Sequence, residues 1–268
     1  MNRRALVAIP LALLAGLALA ACGTPAADKP TDVLLIGASS APHAQILAEA
    51  ANLVPDLKLQ IKEFDDYVQP NLATESGELD ANYFQHQAYL DDFAAANPVH
   101  LVAVAPVHIE PLGAYSKKVK SLAELAPGAD VAIPADATNG GRALALLAGQ
   151  GLITLKDGAG VKATERDIAT NPKQLKITAL EAAQLPRSLE DVDLAVINGN
   201  FALQAGLKPA TDALALEAAK DNPYANLLVV KRGRETDQRI QRLAQVLASP
   251  EIKKFIESTY DGAVIPAS

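Results

Sequence analysis

Tryptophan is absent from this 268-residue chain, cysteine occurs once, and aromatic residues make up only 4% of it. A lone cysteine excludes an intramolecular disulfide, a CxxC redox pair and a cysteine-rich zinc site. That cysteine is Cys22, so the body that follows has no thiol nucleophile. GxSxG and HExxH are missing as well, which removes the usual signatures of a serine hydrolase and a zinc protease. Positive charge is also scarce. The first 21 residues hold Arg3 and Arg4 and no acid; the remainder carries 22 basic against 31 acidic residues, a net charge of −9. An acidic body argues against a nucleic-acid partner and against electrostatic adhesion to a membrane. The one dense basic cluster, Lys231 to Arg234, reads as a solvated turn.

The beginning of the chain sets the compartment. Arg3 and Arg4 precede an uncharged apolar run from Ala5 to Leu19, too short for a confident membrane span and followed by small residues, as in a secretory leader. Leu19-Ala20-Ala21-Cys22 resembles the bacterial lipobox, in which the cysteine is diacylated and becomes the new N-terminus. Residues 1–21 are therefore expected to be a lipoprotein signal peptide, with Cys22 carrying the lipid. Residues 22–31, small, polar and proline-bearing, would form a flexible tether. This places the protein in the cell envelope, anchored to a membrane and facing the periplasm or the cell exterior.

The body alternates β-rich runs with helical patterns, which predicts an α/β fold with mostly parallel sheets. Strands are expected at 33–37, 57–61, 101–107, 131–133, 176–180, 193–197 and 226–230. Helices are expected after Pro42, at about 66–74, 87–96, 138–151, 236–247 and 251–258, with a short one beginning at the capping-box spacing of Ser121 and Glu124. This order fits two lobes with a ligand cleft between them, the first of residues 32–116 plus 224–268 and the second of 117–223. A bilobal binder works by hinge closure and needs no catalytic group.

Several residue groups carry chemistry. Asn139-Gly140-Gly141-Arg142 could hold an anion: glycines let backbone amides approach it at a helix N-terminus, and the planar arginine fork can grip a carboxylate at two points. The alternative is a glycine-rich turn bearing a surface arginine. Tyr67, Tyr83, Phe84 and Tyr89 put four of the eleven aromatic residues within 23 positions, beside His86. They could line a pocket for an apolar side chain or simply pack a core. His108 and Glu110, with His86 as a third ligand, could hold a zinc-like ion, although a satisfied histidine is the commoner case. Asn198-Gly199-Asn200 ends a buried strand, where open α/β sheets place ligands, and an asparagine amide can both donate and accept.

These segments occur in a familiar order: Asp66-Tyr67-Val-Gln-Pro-Asn71, Asp80-Ala-Asn-Tyr-Phe-Gln-His86, His108-Ile-Glu-Pro-Leu-Gly-Ala-Tyr-Ser-Lys117, Thr138-Asn-Gly-Gly-Arg-Ala-Leu144, Leu185-Pro-Arg-Ser-Leu189, Val196-Ile-Asn-Gly-Asn200 and Pro223-Tyr-Ala-Asn226. Together they resemble the NlpA/MetQ-type methionine-binding lipoproteins, the substrate-binding components of ABC importers. The resemblance spans about residues 32 to 260. It implies a type II periplasmic-binding-protein fold, a permease partner and a ligand of L-methionine or a related amino acid or dipeptide, with no cofactor and no catalysis. By motif, Arg142 would meet the ligand carboxylate, Asn198 and Asn226 its backbone, and Glu110 its ammonium, with Asn139 nearby. Tyr67, Tyr83, Phe84, His86 and Tyr89 would form an aromatic wall around the thioether. The competing reading is a metal-binding lipoprotein using His86, His108 and Glu110.

Overall fold

The computed structural model describes residues 33–267; the expected leader, Cys22 and tether lie outside them. The chain opens with β1 (Val33–Ala38), α1 (Gln45–Leu53), β2 (Lys58–Glu63), α2 (Gln69–Ser76), β3 (Ala81–His86), α3 (Gln87–Ala96) and β4 (Leu101–Ile109). It continues through β5 (Gly113–Tyr115), β6 (Asp130–Pro134), α4 (Ala137–Gly149), the short antiparallel pair β7 (Thr154–Leu155) and β8 (Ile168–Thr170), and β9 (Lys176–Leu180). There follow α5 (Leu185–Ser188), β10 (Leu194–Ile197), α6 (Gly199–Gln204), α7 (Pro209–Asp212) and β11 (Ala215–Leu216). The closing elements are β12 (Ala225–Lys231), α8 (Gln238–Leu247), α9 (Pro250–Tyr260) and β13 (Ile265–Pro266).

These strands make two principal sheets, the cores of two lobes. The first has the order β13-β4-β12-β3-β1-β2, and the second β11-β5-β10-β6-β9. β1 runs parallel to β2 and β3, as helical crossovers require, whereas β12 returns antiparallel between β3 and β4. On one face of the first sheet, Leu34, Ile36 and Leu228 pack with Ile46 and Leu47 of α1, Ile240 and Leu243 of α8, and Ile252 and Ile256 of α9. On the other, Phe84 and Val229 meet Tyr89, Leu90 and Phe93 of α3. The second sheet is covered likewise, with Val131, Ile133, Leu194 and Val196 against Leu144 and Leu147 of α4. Each such side chain contributes about 1.5–3 kcal/mol by leaving water.

The chain crosses between the sheets twice, at Glu110–Leu112 and again between β11 and β12. The crossings lie side by side, since Glu217 N–H donates to the Leu112 carbonyl at 2.8 Å. Gly113–Tyr115 pairs with β10 and so belongs to the second sheet, although the sequence pattern had placed it before a boundary at 116. Helix starts follow their caps. Asp66 Oδ1 accepts from the N–H groups of Val68 and Gln69, both at 2.7 Å, so α2 begins at Gln69 instead of Asp66. The segment after Ser121 is only a single 3-10 turn, Leu122–Glu124.

Candidate functional site

The ends of β3, β4, β10 and β12 converge with the first turns of α4 and α6 on one cleft. It encloses about 340 Å³ of space unfilled by protein, counting its mouth, and is lined by Tyr67, Phe84, Gln85, His86, Tyr89, Glu110, Asn139, Arg142, Asn198, Gly199, Asn200 and Asn226. Nine of the ten expected site residues are on that wall. Tyr83 is not: alternation along β3 turns it to the opposite face, where it is fully buried against α1 and its hydroxyl bonds His108 Nδ1. Gln85 joins the lining without having been singled out, and Gly199 and Asn200 of the Asn198-Gly199-Asn200 motif join it beside Asn198.

The aromatic half is built on α3 and the turn before α2. Tyr67 is the hub, with ring centroids 5.8 Å from Phe84, 5.6 Å from Tyr89 and 5.2 Å from Phe201 of the other lobe. Its hydroxyl donates to Asn200 Oδ1 at 2.6 Å, and the Tyr89 hydroxyl donates to the Tyr67 carbonyl at 3.0 Å. Burial holds both phenols well above their ordinary pKa, so they are neutral donors.

Arg142 is buried, 5% exposed, and most of its fork is already engaged. Nε and Nη2 meet the two oxygens of Glu217 at 3.2 and 2.7 Å, Nη2 also approaches the Glu110 carbonyl at 3.4 Å, and Nη1 donates to Asn139 Oδ1 at 2.9 Å. The Tyr224 ring lies 4.0 Å beneath the guanidinium carbon. Of five N–H groups this leaves one, on Nη1, without a partner among the described residues. The two-point grip expected of Arg142 is therefore made on Glu217, leaving a one-point contact for a ligand carboxylate. The glycine cradle also differs from expectation. The first amides of α4 face Asp136, whose carboxylate accepts from Asn139 N–H at 2.8 Å and whose carbonyl accepts from Gly140 N–H at 2.8 Å. The two glycines are there for packing: a Cβ on Gly141 would sit 2.2 Å from the Val161 carbonyl oxygen, and one on Gly140 2.9 Å from that of Pro134.

Behind the cleft lies a buried polar cluster. Glu110 Oε1 is 2.7 Å from His108 Nε2 and 3.2 Å from His43 Nε2. The Tyr83 hydroxyl donates to His108 Nδ1, which leaves the His108 proton on Nε2, facing the carboxylate. Burial lowers the pKa of His43 to about 4 and that of His108 to about 3, so both rings are neutral. Burial raises that of Glu110, opposed by His43, a backbone N–H from Asn200 and Arg142. Gly199 lets α6 approach, since a Cβ there would lie 2.7 Å from Glu110 Cβ. His86 stands apart. Its Nδ1 accepts from Tyr89 N–H at 3.1 Å to cap α3, and its Nε2 donates to Asn139 Oδ1 at 3.1 Å. Burial, then Arg142, lowers its pKa to about 3. With both ring nitrogens engaged, His86 cannot join His108 and Glu110 in the metal site that the competing reading drew. The histidine beside those two is His43.

Two buried polar atoms in the lining have no protein partner among the described residues: Asn198 Oδ1 and Asn200 Nδ2. A buried acceptor and a buried donor left open cost free energy unless something fills them, which marks this spot for a polar ligand. Glu217 and Tyr224 were not identified from sequence. Glu217 is 75 positions from Arg142, a pairing that no local pattern announces.

The chain is 42% identical over 259 residues to the D-methionine-binding lipoprotein MetQ of Salmonella typhimurium, covering 95% of this chain and 94% of that one. Among solved structures, a nutrient binding protein from Burkholderia cenocepacia bound to methionine superposes with a TM-score of 0.84 at 45% identity, covering 88% of this chain and all of that one. A periplasmic substrate-binding protein of an ABC transporter from Coxiella burnetii gives 0.83 at 40% identity, covering 87% of this chain and all of that one. The family profile described as NlpA lipoprotein matches residues 34–268, and the chain belongs to that family.

Proposed function

We propose that this protein is the substrate-binding lipoprotein of an ABC importer, enclosing methionine or a close amino-acid relative between its lobes and delivering it to the permease. It binds without turning its ligand over. The observation that carries this reading is one cleft with a cationic donor, an anionic acceptor and an aromatic wall. The Nη1 N–H of Arg142 and Asn200 Nδ2 suit a carboxylate, Glu110 and Asn198 Oδ1 suit an ammonium, and Tyr67, Phe84 and Tyr89 suit a thioether tail. Asn226 and Asn139 complete the polar rim, and His86 holds Asn139 in place.

Contacts from both lobes stabilise the closed state relative to the open one, and closure goes only as far as that difference allows. We assign residues up to about 110 and from about 224 onward to the first lobe, and those between to the second. Attachment is through lipid on Cys22; among the described residues no helix is long and apolar enough to cross a membrane. Calorimetry with L- and D-methionine tests the ligand. Arg142→Ala removes a charge-assisted contact of roughly 1.5–3 kcal/mol, a drop of about ten- to a hundredfold in affinity. Unchanged binding in that variant would refute the site.

A further inference from the structure

His43 touches no part of the cleft, yet its one N–H reaches two residues that do. Its ring is 1% exposed, in the turn between β1 and α1. Nε2 lies 3.0 Å from Asn226 Oδ1 on β12 and 3.2 Å from Glu110 Oε1 at the end of β4. Both neighbours are oxygens, and the only hydrogen bonds open to Nε2 are therefore donated ones, which puts the proton there. Nδ1 is the orphan that this tautomer leaves, buried and unpartnered among the described residues. The ring plane is fixed from two sides by edge contacts, to Tyr83 at 4.7 Å and His108 at 4.8 Å. Tyr83 in turn sets the His108 tautomer, so Glu110 Oε1 accepts from two histidines whose directions the core determines.

We infer that His43 is a positioning residue for the amine end of the ligand. Its shared N–H fixes the Asn226 amide and the Glu110 carboxylate in the orientations that receive an ammonium. The bond to Asn226 Oδ1 has a specific consequence: one N–H gathers that oxygen and Glu110 Oε1, and the second lone pair of Oδ1 remains to accept from the ammonium. Without that donor the Asn226 amide can rotate, and Glu110 keeps only His108 and the Asn200 backbone N–H. The Tyr83 ring lies outside the pocket wall and acts two bonds back, holding the histidines. This inference rests on the proposed amino-acid ligand and adds a residue that recognises it indirectly.

The test compares His43→Phe, which keeps an aromatic ring and loses the donor, with His43→Gln, which restores an N–H. Affinities are measured by calorimetry for methionine and for its desamino analogue 4-(methylthio)butanoate, the latter by competition. The expected result is a loss of about five- to thirtyfold for methionine in His43→Phe, the range for one buried hydrogen bond and its orphaned partner. Binding of the desamino analogue should stay within about twofold of wild type, and His43→Gln should recover most of the loss. Equal losses for both compounds, or no recovery with glutamine, would show a merely structural role and overturn the inference. So would full methionine affinity in His43→Phe. Failure of the wild-type protein to bind methionine, or an Arg142→Ala variant of unchanged affinity, would remove the parent reading and this one with it. If His43→Phe does not fold, imidazole nitrogen-15 spectra of the wild type decide. Nε2 of His43 should carry the proton and shift with methionine but not with the desamino analogue; a proton on Nδ1, or equal shifts, would overturn the assignment.

Discussion

The tie between Tyr67 and Asn200 gives a measurable handle on closure. Tyr67 belongs to the first lobe and Asn200 to the second, and their 2.6 Å hydrogen bond exists only while the lobes are together. Tyr67→Phe deletes one oxygen and keeps the three ring contacts at 5.2–5.8 Å. The net worth of such a bond is about 0.5–1.5 kcal/mol, plus a penalty because Asn200 Oδ1 is left buried beside an Nδ2 that is already open. The loss falls on the closed state alone, so it passes directly into apparent affinity, weakening methionine binding by about two- to tenfold. A second link between the lobes serves as a contrast. Lys162 and Asp92 pair between the lobes but are 54% and 34% exposed, and a surface pair is worth at most about 1 kcal/mol. Lys162→Ala should therefore cost less than Tyr67→Phe, and its effect should fade at high salt. Calorimetry at two ionic strengths measures both. Unchanged affinity in Tyr67→Phe, or a larger loss in the lysine variant, would refute the assignment of closure energy to the buried phenol.

Three further outcomes are expected. Gly141→Ala should lower the denaturant midpoint by an amount corresponding to a few kcal/mol, because its Cβ would meet the Val161 backbone oxygen at 2.2 Å and neither strand of chain can yield cheaply. Gly199→Ala should weaken ligand binding more than it lowers the melting temperature, since the group displaced is the pocket residue Glu110; equal melting and equal affinity would contradict the close approach. Acid should destabilise the fold. His43, His86 and His108 have folded pKa values of about 4, 3 and 3 against an ordinary 6.5, so each stays neutral when folded and takes up a proton on unfolding. The unfolded state then binds more protons below about pH 6.5, and stability falls as the pH drops toward 4. The slope is about 1.4 kcal/mol per pH unit for a histidine of this kind, opposed by Glu110, whose raised pKa lets the folded state take up a proton as the pH falls. Chemical denaturation between pH 7 and 4 measures it, and a flat profile would contradict burial of neutral rings.

Much of the fold was legible because its signals are local. Val33–Gly37, Val131–Ile133 and Asn226–Val230 read as buried strands and are; the amphipathic stretches at 87–96 and 236–247 formed helices at nearly those limits. Strand partners were not legible. β5 and β13 are two or three residues long, and nothing in Gly113–Tyr115 tells which sheet takes it. In the site, the residues of the strand ends came through as short motifs, whereas the direction of a side chain depended on pairing. Tyr83 and Phe84 are adjacent and equally aromatic, and only the pleat decides that one faces the cleft and the other the core. The engagement of Arg142 by Glu217, and of His43 by Glu110 and Asn226, joins residues 67 and more apart. Such contacts are set by the two crossings between lobes, which sequence spacing does not reveal.

The late arrival of β12 has a consequence for how the molecule assembles. Leu228, Val229 and Val230 are wholly buried between β3 and β4, which precede them by more than a hundred residues. Every strand of the second sheet lies within that interval, so that lobe can form from neighbours in the chain while the first still has a gap in its middle. A chain stopped after residue 217 would hold one complete lobe beside two bare strand edges awaiting a partner, and such edges recruit other chains. The wall of the cleft to which Asn226 belongs can therefore be completed only once the chain beyond residue 224 is in place.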